Sequence, residues 1–212
     1  MHIEFIDLLR CPATHEDSWL VAAVTRMDGR IVIEAKLGCP VCGAAYFIRE
    51  GVALFDGDSS GKARHGTVAG NARRDDESDD STRVAAFLDL TRPGALALLA
   101  GDWAPASAGV AELTGARIIS LNAPHVGDGP ANVAEVRAGE RIPIVGRSLD
   151  GVALDMAHSA QGMLDEAARL LRPRSRLIAA ASAQLPPPFR ELARDANLVV
   201  ADYVGELVPL RR

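Results

Sequence analysis

The sequence lacks the features that mark a membrane or secreted protein. No apolar run approaches the roughly 18 residues that a transmembrane helix needs, and no basic segment opens the chain as it would open a signal peptide. Cysteine occurs only three times, which is too few for a disulfide framework and suits a reducing compartment. These absences predict a soluble cytoplasmic protein with no transmembrane segment.

An excess of positive charge is also missing. The net charge of −5 and the isoelectric point near 5.5 predict that nucleic acid is not a partner. Apolar residues make up 48% of the 212 positions, enough to bury a core in one large domain or two unequal ones.

The first 56 residues form a small β-rich unit with a candidate metal site. Strand-like runs at 19–25 and 30–35 are separated by Asp28-Gly29, a strong hairpin signal. A tight turn then places Cys39 and Cys42 on either side of Pro40-Val41, with two residues between them. The pattern predicts a zinc-ribbon-like module over residues 1–56.

Zinc prefers four ligands in a tetrahedron. Cys11, Cys39 and Cys42 supply three, and His15 stands at a spacing from Cys11 that can supply the fourth. The alternative is that the fourth ligand is absent and three thiols lie in a small core. A redox Cys-x-x-Cys motif is disfavoured, because no βαβ pattern surrounds it.

Three segments of this unit, 6–12, 39–43 and 46–54, resemble the small zinc-ribbon activator family of tRNA and protein methyltransferases. The resemblance departs at Thr14, where the family has cysteine, and in the long insert before Cys39. It implies a protein-binding element that carries no catalytic residues.

Residues 57–80 are polar and end in an acidic run, so they bury too little apolar surface to offset their own ordering. They are predicted to be an acidic linker, with a docking strip for a basic partner as the alternative interpretation.

Residues 81–212 alternate strand and helix patterns, which predicts an α/β domain with a doubly wound, mostly parallel sheet. The run at 95–100 is apolar throughout, as in a strand buried on both faces. A helix cap is expected at Asp80 or Ser81. The remaining predicted strands are 116–121, 132–136, 151–155 and 176–181, the predicted helices are 105–113, 161–171 and 188–196, and a hairpin of 198–203 with 206–210 closes the sheet.

This order resembles the class I S-adenosylmethionine-dependent methyltransferase fold, most closely in segments 142–154 and 164–178. The resemblance implies a glycine-rich turn after the first strand and an acid after the second to hold the cofactor. Here that turn keeps one glycine, Gly101, followed by Asp102, and Asn122 replaces the acid. Gly101, Asp102 and Asn122 are therefore predicted to be a remnant cofactor site.

Three further side chains are candidates, and His125 and His158 fall in a loop and at a helix start, near where substrates enter such folds. His125 and His158 have no nucleophile or base beside them in the sequence and are interpreted as solvated surface. Trp103 is interpreted either as a plug of the cofactor pocket or as an exposed anchor for a partner.

The hypothesis from sequence is a non-catalytic methyltransferase-like protein, acting through protein contacts as a scaffold or accessory subunit of a larger complex. Zinc is its expected cofactor and S-adenosylmethionine is considered unlikely. The first alternative is an active S-adenosylmethionine-dependent methyltransferase with an atypical cofactor turn. The second is a regulator that binds another small ligand in the remnant cleft.

Overall fold

The computed structural model describes residues 1–56, 74–123 and 129–205, with eleven strands and three α-helices in those ranges. The strands are β1 Val21–Asp28, β2 Ile31–Gly38, β3 Ala45–Arg49, β4 Val52–Leu54, β5 Leu96–Ala100, β6 Arg117–Leu121, β7 Val133–Arg137, β8 Leu149–Ala153, β9 Leu171–Ala180, β10 Phe189–Arg194 and β11 Leu198–Tyr203. The α-helices are α1 Arg74–Leu88, α2 Ser107–Thr114 and α3 Gln161–Leu170, and 3₁₀ helices cover Ile3–Leu8 and Gly101–Ala106.

All described strands belong to one mixed sheet with the order β1-β2-β3-β4-β7-β6-β5-β8-β9-β11-β10. Strands β7, β6, β5, β8 and β9 pair in parallel, and β11 runs antiparallel between β9 and β10. The first four strands form an antiparallel meander whose last strand pairs in parallel with β7. The coarse prediction of an α/β fold with a mostly parallel sheet is confirmed for residues 95–205, and the N-terminal unit continues that sheet.

Strand β5, at the centre of the parallel strands, is apolar on both sides because each face of the sheet is covered. Every residue of β5 is buried. Val84 and Leu88 of α1 and Val110 of α2 pack over one face. Residues of α3 and of the N-terminal 3₁₀ helix belong to the cluster on the other face, so the first residues of the chain help to cover the domain that follows.

Local sequence signals place the ends of several elements where they were expected. Asp28 pairs with Ile31 across the hairpin, and Gly29 has the left-handed φ of +55° that such a turn requires. Gly115 ends α2 with a φ of +68°, as a C-cap glycine does. The helix predicted at 161–171 is confirmed as α3.

Two predicted elements are wrong. The segment predicted as a helix over 188–196 is the edge strand β10, because Phe189 is buried against Tyr203 of β11 with ring centroids 5.5 Å apart. This tertiary contact overrides the helical propensity of the segment. The hairpin of β11 therefore forms with β10, whereas its predicted partner 206–210 lies outside the described residues.

Two boundaries also differ from the prediction. Helix α1 begins at Arg74, so part of the segment predicted as a linker, 57–80, is helical, and 57–73 lies outside the described residues. The helix predicted from 105 begins at Ser107 as α2, after a 3₁₀ helix over Gly101–Ala106 that contains Pro105. In the part of the chain that the structure describes, no helix is long and apolar enough to cross a membrane.

Candidate functional site

Four potential metal ligands converge in the N-terminal unit. Cys11 follows the first 3₁₀ helix, His15 lies in the next loop, and Cys39 and Cys42 lie in the turn between β2 and β3. Their ligand atoms all lie within 4.8 Å of one another. The structure thus brings together the four residues that the sequence singled out as a candidate metal centre.

The distances match the edges of a zinc tetrahedron. The sulfur atoms of Cys11 and Cys42 lie 3.7 Å apart, and Cys39 Sγ lies 3.4 Å from His15 Nε2. With zinc–sulfur bonds of about 2.3 Å, two ligand sulfurs of a tetrahedron are about 3.8 Å apart. His15 Nδ1 lies 2.6 Å from the carbonyl oxygen of Glu16. A proton on Nδ1 is donated there, which leaves the lone pair of Nε2 facing the thiols.

The turn also shapes the acidity of its thiols. Burial acts to raise the pKa of Cys39, but hydrogen bonds from the backbone N–H groups of Cys42 and Val41 outweigh it and lower that pKa to about 6. Burial raises the pKa of the Cys11 thiol. Tyr46, whose hydroxyl lies 3.5 Å from Cys11 Sγ, has its pKa raised by burial and by that contact. The turn thus favours a thiolate at Cys39, the form that binds metals.

A second group of polar residues lies where the direction of the parallel sheet reverses. From β5 the chain steps outward to β6 and β7, and then returns to the other side of β5 as β8 and β9. In open α/β sheets such a switch point, at the carboxyl ends of the strands, is where ligands bind. Here it carries Gly101 and Asp102 after β5 and Asp155 just beyond β8.

The carboxylate of Asp155 lies directly on the turn after β5. Its Oδ2 accepts a 3.0 Å hydrogen bond from the backbone N–H of Asp102. Gly101 has a φ of +59°, and a Cβ added to it would lie 1.9 Å from Asp155 Oδ2. Only glycine allows this close approach, so Gly101 is required by the chain's own carboxylate as well as by its backbone conformation.

His158 shares that carboxylate. Its Nδ1 lies 2.6 Å from Asp155 Oδ1, and its backbone N–H donates to the same oxygen at 2.9 Å. The prediction that His158 is solvated surface is wrong, since its side chain is only 21% exposed and is fixed by Asp155. Burial acts to raise the pKa of Asp155, but hydrogen bonds from His158 and from the backbone of Asp102 lower it overall. His125 lies outside the described residues.

Asn122 uses its side chain within the chain. It has a φ of +56°, and its side-chain amide donates to the carbonyl oxygen of Ala138 at 3.0 Å while its Oδ1 accepts from the Ala138 N–H at 3.0 Å. The amide therefore ties the end of β6 to the end of β7. The structure brings Gly101 and Asp102 together with Asp155, and Asn122 lies at the same edge of the sheet, because Ala100 of β5 pairs with Leu121 of β6.

Trp103 lies in the 3₁₀ helix that follows β5. It is half-buried, and its indole N–H donates to the carbonyl oxygen of Leu154 at 3.3 Å. This contact links the turn after β5 to the end of β8. Sequence reasoning missed Asp155, and the available signal was an acid at the end of a predicted parallel strand, the edge at which Gly101 also lies.

Comparisons with known proteins give matches only among solved structures. No family model matches the chain, and no curated protein matches it. The antibiotic-resistance methyltransferase Kmr is 15% identical over 59% of this chain and 93% of its own, with a TM-score of 0.42. With this identity and a TM-score below 0.5, Kmr is similar to part of this chain and fixes neither its fold family nor its activity.

Two further similar structures come from named organisms. Geranyl diphosphate C-methyltransferase from Streptomyces coelicolor A3(2) is 11% identical over 48% of this chain and 42% of its own, with a TM-score of 0.39. Phospholethanolamine N-methyltransferase 2 from Haemonchus contortus is 12% identical over 51% of this chain and 30% of its own, with a TM-score of 0.42. This chain spans less than half the length of either enzyme.

These findings correct two predictions from the sequence. The non-catalytic scaffold is contradicted, because the solved structures to which this chain is similar are named methyltransferases. The expectation that S-adenosylmethionine is unlikely is contradicted as well, because two of them were solved with S-adenosylhomocysteine. The physical reason is that a glycine-poor turn is a local change, whereas the switch point of the sheet is retained.

Proposed function

We propose that this chain is an S-adenosylmethionine-dependent methyltransferase with an atypical cofactor-binding turn. The observation that carries the proposal is the switch point between β5 and β8, where a left-handed glycine and an Asp-His pair meet at the carboxyl ends of the parallel strands. Such an edge combines exposed backbone with a few polar groups, which is the composition of a ligand site in this class of sheet.

The backbone of this edge suits a ligand, but its polar groups have partners within the chain. Asp155 accepts the N–H of Asp102, and both ends of the Asn122 amide are bound to Ala138. Binding at these groups exchanges internal hydrogen bonds for ligand hydrogen bonds, and such an exchange contributes only about 0.5–1.5 kcal/mol per bond. We therefore expect apolar contacts and Trp103 to supply much of the affinity.

S-adenosylmethionine, when bound, supplies an electrophilic methyl group. The chain's own contribution is then to position the acceptor and to remove its proton. Asp155 holds the Nδ1 side of His158, so that a proton on Nδ1 leaves the Nε2 lone pair to act as a general base. This arrangement favours an acceptor hydroxyl or amine, whose nucleophilic atom loses a proton during transfer.

Calorimetric titration with S-adenosylhomocysteine tests the proposal, because this ligand binds without turnover. We expect a dissociation constant in the micromolar range for the wild-type chain. Gly101→Val should abolish binding, since the new side chain collides with Asp155. The matched control is Gly29→Val, which has a similar φ but no neighbour within 4 Å of its added Cβ. No heat at millimolar ligand, or equal affinities in the two variants, would contradict the proposal.

We also propose that residues 1–56 form a zinc-ribbon-like module next to the methyltransferase-like domain of residues 81–212. Its zinc is bound by Cys11, His15, Cys39 and Cys42. Four protein ligands leave no open position, so the ion is structural rather than catalytic. It joins the loop after the first 3₁₀ helix to the turn between β2 and β3, and thereby fixes the outer end of the sheet.

Metal analysis of the purified chain tests this second proposal. We expect one zinc per chain in the wild type and in His2→Ala, because His2 is not one of the clustered ligands. His15→Ala should lower the zinc content and Cys39→Ser should abolish it. Zinc well below one per wild-type chain, or zinc unchanged in both ligand variants, would contradict the assignment.

A further inference from the structure

A cavity lies at the opposite edge of the sheet from the switch point, at the amino ends of β5, β8 and β9. Its volume is about 240 Å³, and its walls include Arg92, Asp150, Arg172, Arg174 and Ser175. None of these residues belongs to the candidate metal centre or to the Asp155–His158 pair.

Asp150 orients two guanidinium groups at this cavity. Its carboxylate lies 2.5 and 2.6 Å from Arg92 Nη2, and 3.2 and 3.4 Å from Arg172 Nη1. It also accepts the backbone N–H of Leu96 at 2.9 Å, which fixes it to the start of β5. One carboxylate therefore holds two arginines in place and neutralises only one of them.

A bulge in β9 adds a third arginine. Leu149 pairs with Leu171 and Gly151 pairs with Arg176, so Asp150 alone faces the intervening residues 172–175 of β9. Within this bulge Arg174 has a φ of +71°, a strained value for a residue with a side chain. A backbone outlier beside a cavity motivates a functional role for the segment.

The guanidinium of Arg174 is available to a ligand. Arg174 is exposed, and among the described residues it makes no side-chain hydrogen bond or ion pair. The other acid in the wall, Asp89, is paired with Arg176 at 3.5 Å. The cavity consequently keeps an excess of positive charge, although the whole chain carries a net charge of −5.

We propose that this cavity binds the phosphate group of a small phosphorylated molecule, with Arg92, Arg172 and Arg174 as its ligands. Planar guanidinium groups match phosphate oxygens through paired hydrogen bonds. The volume of about 240 Å³ lies just below the roughly 300–1,000 Å³ of sites for drug-sized ligands, which fits a phosphate with a small carrier. A long polyanion is disfavoured by the negative charge of the remaining surface.

Calorimetric titration with inorganic phosphate and with pyrophosphate, at constant ionic strength, tests the site. We expect saturable binding to the wild-type chain and at least tenfold weaker binding to Arg174→Gln. Arg174→Gly should lose binding to the same degree, and it keeps the fold because glycine relieves the left-handed strain. The matched control is Arg26→Gln at the far end of the sheet, where Arg26 is paired with Glu34, and it should bind as the wild type does.

Two results would overturn the proposal. The first is that neither phosphate nor pyrophosphate binds saturably, or that both bind equally well to wild type and to both Arg174 variants. The second is that a short single-stranded RNA binds at least tenfold more tightly than pyrophosphate and depends on Arg174, which would assign the site to nucleic acid. These results do not depend on S-adenosylhomocysteine binding, so this proposal and the proposed methyltransferase function can fail separately.

Discussion

The candidate metal centre and the switch point differ in where their polar groups find partners. At the metal centre, three sulfurs and a histidine nitrogen face one another around a common point. At the switch point, Asp155 is already bound by His158 and by the backbone of Asp102, and Asn122 by Ala138. The first region is arranged for an added ion, whereas the second holds itself together without a ligand.

The two regions differ in how far their stability depends on a ligand. Metal binding at a cluster of this kind is coupled to folding, so the zinc proposed above would add to the stability of the N-terminal unit. The switch point rests on a sheet whose strands are buried on both faces. Its stability comes from apolar burial and internal hydrogen bonds, and a ligand adds to these.

The largest expected effect tests whether apolar burial stabilises the sheet that carries the switch point. Leu164 of α3 is buried against the sheet, so Leu164→Asp places an unpaired charge there and should lower the free energy of unfolding by at least about 4 kcal/mol. Leu113→Asp is the matched control, because Leu113 is 60% exposed on α2. Urea unfolding with and without a zinc chelator measures both variants. Equal unfolding midpoints for them would show that α3 does not cover the core.

Two glycines with similar backbone conformations differ in the space around them, and this difference gives a smaller expected effect. Gly29 in the β1–β2 hairpin and Gly101 at the switch point have φ values of +55° and +59°. An added Cβ meets nothing within 4 Å at Gly29 but meets the Asp155 carboxylate at Gly101. We expect Gly29→Ala to cost about 1 kcal/mol, from backbone strain alone, and Gly101→Ala about 2–4 kcal/mol.

Thermal and urea unfolding of the two alanine variants measure this difference. In an Asp155→Ala background the obstructing carboxylate is gone, so Gly101→Ala should then cost about as much as Gly29→Ala. A difference between the two glycines that survives in that background would mean that Asp155 is not what excludes a side chain at Gly101.

The sequence predicted the parts of the fold that depend on local patterns. Continuous apolar runs predicted the buried strands, and Asp28-Gly29 predicted the hairpin, because each signal acts within a few residues. The helix predicted at 188–196 is wrong for the opposite reason. Phe189 is buried by its contact with Tyr203, and a contact between two strands cannot be read from either one alone.

The two candidate sites also differ in how far the local sequence predicts them. The clustering of Cys11, His15, Cys39 and Cys42 was predicted because cysteine and histidine have few other roles at such spacings. Asp155 was missed because an acid after a strand is common, and only the sheet order brings it to Gly101. Asn122 was placed in the cofactor site by position along the chain, yet its side chain closes on Ala138.

The smallest expected effect concerns the charge of Asp155. Asp155→Asn removes a carboxylate that accepts hydrogen bonds from His158 and from the backbone of Asp102, which should cost about 1–2 kcal/mol near pH 7. The pKa of Asp155 is lower in the folded chain than its ordinary value of 3.8. Its charge therefore stabilises the fold above that value, and the contribution is lost as the pH falls through the folded pKa.

Urea unfolding at a series of pH values follows the stability gap between wild type and Asp155→Asn. The gap should be present at pH 5 and should close progressively as the pH falls below about 4, because the wild-type carboxyl then takes up a proton. Asp102→Asn is the matched control at the same turn. Its side chain is exposed, so it should change stability by less than about 0.5 kcal/mol.

A gap that persists undiminished at pH 2.5, or an equal loss in Asp102→Asn, would mean that the Asp155 carboxylate does not hold this edge together. The internal hydrogen bonds would then no longer distinguish the switch point from the metal centre.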